Sequence, residues 1–455
     1  MKRLIAGVLM YVWLSSASLA APVKNIILMI SDGQGYNTVY ATELFEGKPA
    51  VYESFPVKLS ASTFSASNDF NSNPLGYDPT KAWSDFLYVT NHPTDSAAAA
   101  TALNTGIKVY DGRLNWSIEE KPLKTFAQYA AEQGMDTGAI TTVPLSHATP
   151  AGVAAHNVSR ENYSDIAKEM IYKSDLDVIM GCGHPRFDNS GNVDLNPDYN
   201  YVGGEDTWKD ITDADGANGF KFIETKEDFE KLANGELILP KKVLGVPQAR
   251  ATLQESRIKG NPQEVHPETF NKNVPDLATM SVGALRVLHQ NPKGFYLMIE
   301  GGAIDWANHG NLKGRVIEEQ MDFNKAVQAV VDWVEKNSNW NETLLIVTAD
   351  HETGLIWGAN DHFAPLPFSC PGQIPGMVYN STHHTNSLVP VYAKGAQCDL
   401  LKKYATGFDP IRGQFMDNTD IFNVMFTAIG NPAPEKKWPN SKKNTATTCA
   451  TQPAK

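Results

Sequence analysis

The sequence predicts an α/β fold: a large, mostly parallel central sheet sandwiched between helices, with loop insertions. Two patterns carry this reading. Short runs dense in Ile, Val and Leu occur at residues 25–30, 137–143, 176–180, 294–299, 344–348 and 389–393, several of them ending at Gly or Asp. Nearly continuous apolar runs of this length suit strands buried on both faces. Helical stretches alternate with them at residues 96–104, 123–133, 276–290 and 316–337, and Gly106 is placed to close the first. Strand and helix in alternation make a sheet covered by helices.

Taken in chain order, the elements have separate reasons. Residues 1–20 are read as a signal peptide: Lys2 and Arg3 precede a short apolar run, and Ser18-Leu19-Ala20 supplies the small residues of a cleavage site. Residues 21–455 are then expected to form one domain. Two stretches break its rhythm, residues 60–81, rich in Ser, Asn, Asp and Pro, and residues 184–262, polar, aromatic and turn-rich. Both are expected to be excursions from the sheet. The tail after Pro432 is polar and is expected to end in disorder.

Charge and composition exclude several classes. The chain carries 39 Lys and Arg against 51 Asp and Glu, a balance of −12 that becomes −14 once Lys2 and Arg3 are removed. That argues against a protein tracking nucleic acid through a basic field. Hydrophobic residues at 42% exclude disorder as the main state. No segment after the leader is apolar enough to span a bilayer. Cys182, Cys370, Cys398 and Cys449 would permit two bridges after export, with three possible connectivities, and none has CxxC spacing.

The chemistry-bearing residues gather where strands end, which in a doubly wound sheet is where ligands bind. Asp32 follows the first strand, Glu300 ends another, and Asp350-His351 follow a third. Each alone is an ordinary turn residue or helix cap, but their repetition at successive strand ends is not. Asp305 and His309 stand four apart, so on a helical turn they share one face and can grip one metal; an isolated pair at this spacing would be a surface ion pair. His384 precedes the next apolar run and can complete that set. Carboxylates and imidazoles without thiolate suit zinc or a similar ion in an open site. Ser96, in Thr94-Asp95-Ser96-Ala97-Ala98-Ala99-Ala100, opens an Ala-rich helix whose dipole and N–H groups point at its hydroxyl. Standing alone it would be a plain N-cap. The small residues after it suggest close backbone packing around a bound anion. Arg160 can present a planar fork to phosphate, with Glu161 its bland alternative partner, while His147 and Thr149 can join a cation's surroundings.

Together these stretches resemble the alkaline phosphatase family: the Asp32-Gly33 loop, Asp95-Ser96-Ala97, Thr149 with Arg160, residues 300–309, Asp350-His351-Glu352-Thr353-Gly354, and His384-Thr385, all in the family's order. The resemblance implies that Asp32, Asp350 and His351 hold the zinc beside the nucleophile Ser96, and that Asp305, His309 and His384 hold the zinc that activates water. It implies that Asp32, Thr149 and Glu300 form a third site for magnesium, that Arg160 clamps phosphate, and that Asp95 orients Arg160. His147 and Trp306 stand where the enteric bacterial form has Asp and Lys. Trp306 thereby removes a positive charge near the phosphate, and His147 lessens the negative charge at the third site.

The implied activity is hydrolysis of small-molecule phosphate monoesters through a phosphoserine, by an exported homodimer in the periplasm or outside the cell. A phosphodiesterase or nucleotide pyrophosphatase of the same superfamily is the nearest alternative. Arg160 favours the monoesterase, because a diester offers one charged oxygen fewer to clamp. A non-catalytic metal-binding protein would leave Ser96 and Arg160 without a reason.

Overall fold

The computed structural model describes residues 21–67, 76–213 and 216–434. The expected signal peptide, most of the polar tail and Cys449 lie outside the described residues.

Eight strands come first: β1 (Asn25–Ser31), β2 (Val57–Ser62), β3 (Asp136–Pro144), β4 (Val178–Cys182), β5 (Lys221–Ile223), β6 (Val243–Gly245), β7 (Phe295–Gly301) and β8 (Thr343–Thr348). Four two-residue strands follow, β9 (Glu352–Thr353), β10 (Ile356–Trp357), β11 (Val378–Tyr379) and β12 (His384–Thr385). The last three are β13 (Val389–Gly395), β14 (Gly407–Asp409) and β15 (Gly413–Asp417). Eleven of these build one sheet in the order β14-β15-β2-β13-β8-β1-β7-β3-β4-β6-β5, while β10 pairs with β11 and β12 with β9. Within the sheet only β13 and β14 run against the rest. The fold is therefore the α/β, mostly parallel architecture that the alternating pattern predicts.

Side-chain alternation divides the interior into two layers. Ile26, Leu28 and Ile30 of β1 face a core shared with the helices Ser96–Thr105, Phe126–Glu132, Tyr163–Tyr172 and Thr419–Ala428. Ile27 and Met29 face the opposite core, beneath the helices Leu277–Leu288 and Lys313–Asn337. All seven residues of β1 are buried, and each large aliphatic side chain so placed contributes about 1.5–3 kcal/mol.

Both expected excursions touch the sheet. The stretch 184–262 returns to the sheet and supplies the edge strand β5 and its neighbour β6, and it adds the helices Glu205–Thr212 and Lys226–Asn234. Three-residue strands are too short to show a period, so their pairing is decided by the neighbouring strand and not by local pattern. Likewise β2 takes in Ser60 to Ser62, which the composition assigned to a loop. Cys182, Cys370 and Cys398 are free thiols, so no bridge joins them to one another.

Register sets the site. β1 lies between β7 and β8, with Ile30 opposite both Glu300 and Thr348, and Glu300 in turn lies opposite Thr141 of β3. The carboxyl ends of β1, β3, β7 and β8 thus emerge side by side.

Candidate active site

Asp32 leaves β1 through a turn that only glycine makes easily. Gly33 has φ +71°, and a Cβ there would lie 2.8 Å from the Asp305 Cα. Its N–H donates to Asp350 Oδ1 at 3.1 Å, and Asn308 Nδ2 donates to its carbonyl at 3.2 Å. This one glycine therefore lets three segments meet.

The first cluster is Asp32, Asp350 and His351, all buried, with ligand atoms within 4.8 Å of one another. His351 Nε2 lies 3.0 Å from Asp350 Oδ2 and 3.7 Å from Asp32 Oδ1. Both of those oxygens are buried without a hydrogen-bond partner. Burial first, and then the charges of Asp350, Asp305 and Glu300, push the Asp32 carboxyl well above its ordinary range.

The second cluster is Asp305, His309 and His384. Asp305 and His309 share one face of the short helix Ala303–His309, as their spacing predicts, with Asp305 Oδ2 3.3 Å from His309 Nε2. His384 Nε2 lies 3.5 Å from Asp305 Oδ1 and 3.0 Å from His309 Nε2. His309 Nδ1 donates to Thr382 O at 2.6 Å and His384 Nδ1 donates to Thr94 O at 2.7 Å. A neutral imidazole has one N–H. With both spent on carbonyls, two Nε2 lone pairs and a carboxylate converge on one point, and only a positive charge relieves that arrangement. Burial lowers His384 to about 4, whereas Asp305 overrides the effect of burial on His309 and raises it to about 9. Without a metal, the proton on His309 is the charge that fits.

Thr353 links the two clusters. Its hydroxyl donates to Asp305 Oδ1 at 2.6 Å and stands 3.3 Å from His351 Nδ1, whose N–H it can accept. His351 Nε2 then presents a lone pair, and His351 forms a further potential ligand group with Asp305 and His384.

A third set of orphaned atoms lies at the ends of β7 and β3. Glu300 Oε1, Thr149 Oγ1 and His147 Nδ1 are buried without hydrogen-bond partners, while Glu300 Oε2 accepts from Thr141. Burial raises the Glu300 carboxyl to about 7, with the Asp350 charge adding to the shift and Thr141 opposing it. Burial and the Arg160 charge lower His147 to about 3, so its ring is neutral. The ring stacks on Tyr163 at 6.0 Å and meets Trp306 edge-on at 5.4 Å. Unpaired oxygens and imidazole nitrogens without thiolate are a donor set for hard or borderline divalent cations, and all three groups fit such ions.

Ser96 begins the helix Ser96–Thr105, all ten residues of which are buried. Asp95 caps it by accepting from the Ala98 N–H, and Gly106 closes it at φ +71°. Ser96 Oγ lies 3.2 Å from His351 Nε2. The alanines also pack closely against the helix Ala148–Ala151: a Cβ at Gly152, just after it, would sit 2.6 Å from the Ala100 Cβ. Asp95 has a second task, holding Arg160 Nη1 at 2.9 Å, whereas Glu161 is 4.0 Å away. Arg160 therefore pairs with the residue that precedes the serine and not along its own loop.

Fold and site together define a class: doubly wound α/β proteins in which a helix-opening serine faces two carboxylate–imidazole clusters at strand ends. The chain belongs to the alkaline phosphatase family, whose model matches residues 23–378. It is 30% identical over 350 residues to alkaline phosphatase 4 of Bacillus subtilis, covering 75% of this chain and 64% of that relative. The chain thus spans just under two thirds of that relative's length. It is 28% identical over 454 residues to the alkaline phosphatase of Escherichia coli, covering 90% of this chain and 86% of the relative. Among solved structures, a cold-active alkaline phosphatase from a psychrophilic Shewanella matches with a TM-score of 0.64 and 26% identity, covering 90% of this chain and all of that one.

The structure gathers the residues singled out in the sequence at one end of the sheet. Thr353 and Thr141 escaped notice there. Thr353 stands inside the quoted run Asp350-His351-Glu352-Thr353-Gly354, two residues after a ligand candidate, and that adjacency was the available signal.

Proposed function

We propose that the chain hydrolyses small-molecule phosphate monoesters through a phosphoserine at Ser96, using two zinc ions and one magnesium ion. The observation that carries this is the position of Ser96 Oγ, 3.2 Å from Nε2 of His351, the residue shared by the potential ligand groups Asp32–Asp350–His351 and Asp305–His351–His384. Asp32, Asp350 and His351 would hold one zinc, Asp305, His309 and His384 the other, and Asp32, Thr149 and Glu300 the magnesium. Bound there, the ions supply Lewis-acid charge that lowers the pKa of nearby hydroxyls and offsets the phosphate's negative charge.

The protein's own residues do the rest. The Asp95 cap fixes the first helical turn, so backbone N–H groups and the dipole favour negative charge at Ser96 Oγ. That oxygen attacks phosphorus, the ester P–O bond breaks, and the alcohol departs from the opposite side. Water then attacks the phosphoserine in line, the bond to Oγ breaks, and phosphate leaves. Two in-line displacements give net retention at phosphorus. Arg160, braced by Asp95, binds equatorial oxygens that carry charge throughout. Trp306 and His147 present neutral rings beside this position, so binding centres on the phosphoryl group and tolerates varied leaving groups.

Export and a homodimer complete the reading. Among the described residues no helix is long and apolar enough to cross a membrane.

The test is Ser96→Ala with its metal content verified. The expected outcome is loss of labelled phosphoserine and a fall in rate of roughly 10³-fold or more; unchanged monoester turnover would refute the proposal. A mono- and a bis-ester of one phenol separate the diesterase reading, which requires the bis-ester to turn over faster.

A further inference from the structure

Asp95, which caps the Ser96 helix, and Arg160 stand 65 residues apart in the chain. Their ion pair, with both side chains partly exposed, does not by itself fix where the arginine's backbone stands. The segment 110–115 supplies a second connection, because it bonds to both sides. Toward the nucleophile, the Asn115 N–H donates to Thr101 Oγ1 of the Ser96 helix at 2.9 Å. Toward Arg160, Leu114 and Asn157 exchange two backbone hydrogen bonds of 2.9 Å each. Asn115 Nδ2 also donates to Gly152 O and Ala155 O at 2.9 and 2.7 Å, which ties the same segment to the chain that follows Thr149.

Between these anchors and the clamp lies one turn. Tyr110 to Arg113 form it, closed by the Arg113 N–H on Tyr110 O at 3.3 Å. Gly112 is the third residue, at φ +81°, the angle that a type II turn reserves for glycine at this place. Its backbone meets both halves of the clamp: the Gly112 N–H donates to the Asp95 carboxylate, and its carbonyl accepts the Arg160 N–H at 2.7 Å. Asp111 Oδ1 adds an acceptor for the Asp95 N–H at 3.4 Å. Among the described residues, a Cβ on Gly112 would meet no atom within 4 Å. The position therefore calls for glycine through its backbone angle and not through crowding, in contrast to Gly33.

We propose that Gly112 is a positioning residue for phosphate binding: its two peptide groups hold the Asp95 carboxylate and the Arg160 backbone in register, so the guanidinium is already placed when the phosphoryl oxygens arrive. The inference rests on the reading of Arg160 as the phosphate clamp. An alanine at Gly112 has to accept a positive φ or rotate the peptides that carry the two hydrogen bonds. Asparagine tolerates that backbone region far better, and the open space admits its side chain.

The experiment measures the inhibition constant of inorganic phosphate, with KM and kcat for one monoester and the melting temperature, on the metal-loaded full chain. Gly112→Ala should weaken phosphate about fivefold to tenfold, the scale of one or two lost hydrogen bonds, and Gly112→Asn should restore most of that affinity. In an Arg160→Ala background, which itself binds phosphate weakly, adding Gly112→Ala should change the constant by less than about twofold, because the two residues act through one contact. A role in folding alone would lower the melting temperature equally in both backgrounds and leave phosphate affinity untouched. Parent-like phosphate binding in Gly112→Ala, failure of asparagine to restore it, or the same loss with and without Arg160 would overturn the proposal while leaving the clamp intact. Parent-like phosphate binding in Arg160→Ala would instead refute the clamp itself, and the positioning role with it.

Discussion

The two ligand clusters differ in how they are built. Asp32, Asp350 and His351 sit directly on strand ends, with His351 and Asp350 sealed from solvent. Asp305, His309 and His384 sit on a seven-residue helix and a two-residue strand, and the His309 side chain is 36% exposed. The inner group inherits its geometry from the central sheet, whose register cannot slip without moving the whole core. The outer group is assembled from short elements tied by single bonds to Thr94 and Thr382. A closed group that positions and an open group that exchanges are what a two-step displacement at one phosphorus needs.

This contrast can be broken by experiment. Asp350→Ala should have the larger effect, because it removes a proposed inner ligand together with the acceptor for the Gly33 N–H. Supporting contacts alone are worth about 10–100-fold, so activity should fall beyond about 100-fold and excess zinc should not restore it. His309→Ala should lose roughly 10–100-fold and recover in part as free zinc is raised. Activity titrated against zinc, with bound metal counted, reads both; equal rescue of the two variants would erase the distinction. Chelation followed in time should likewise show the outer ion leaving first.

Gly33→Ala tests the junction between the clusters. It forces a non-glycine residue into positive φ, at about 1–3 kcal/mol, and drives a Cβ against Asp305. The expected outcome is a lower melting temperature together with weaker zinc binding at the outer group. A change in stability alone would show that Gly33 serves the turn and not the convergence.

The same contrast explains what was legible in the sequence. Asp32, Glu300 and Asp350 were readable because a buried parallel strand announces itself as an apolar run, and its carboxyl end can be counted off. Asp305 and His309 were readable from helical spacing. By contrast β5 and β6 are three residues each, and Lys221-Phe222-Ile223 has no pattern that separates a strand from a loop; only pairing with β6, itself laid against β4, makes it one. Thr353 was illegible for another reason. Its importance lies in a partner far along the chain, Asp305. The small-residue run after Ser96 packs closely at Ala100, where Gly152 leaves no room for a Cβ, a partner 52 residues away that the run itself does not name.

The smallest effect is the most diagnostic, and it concerns the metal-free protein. Glu300 has its carboxyl raised by burial from 4.5 to about 7. Between those values the folded state keeps a proton that the unfolded chain has lost, so this group's contribution to stability declines as pH rises through the window. In the outer group, burial opposes but His309, His384 and His351 together hold Asp305 well below its ordinary value. Its contribution has the opposite sign and is lost as pH falls below about 4. His384, lowered to about 4 by burial, adds stability as pH rises toward 6.5, so the slope of the parent protein is a mixture. The readable quantity is therefore a difference. In chelator, the melting temperature of Glu300→Gln relative to the parent should climb between pH 4.5 and 7, and that of Asp305→Asn should fall between pH 3 and 4. With metal restored, the Glu300 difference should reverse, because the ion replaces the proton and needs the carboxylate. A Glu300→Gln difference independent of pH would mean that this oxygen pair is satisfied within the protein and that no third cation is required there.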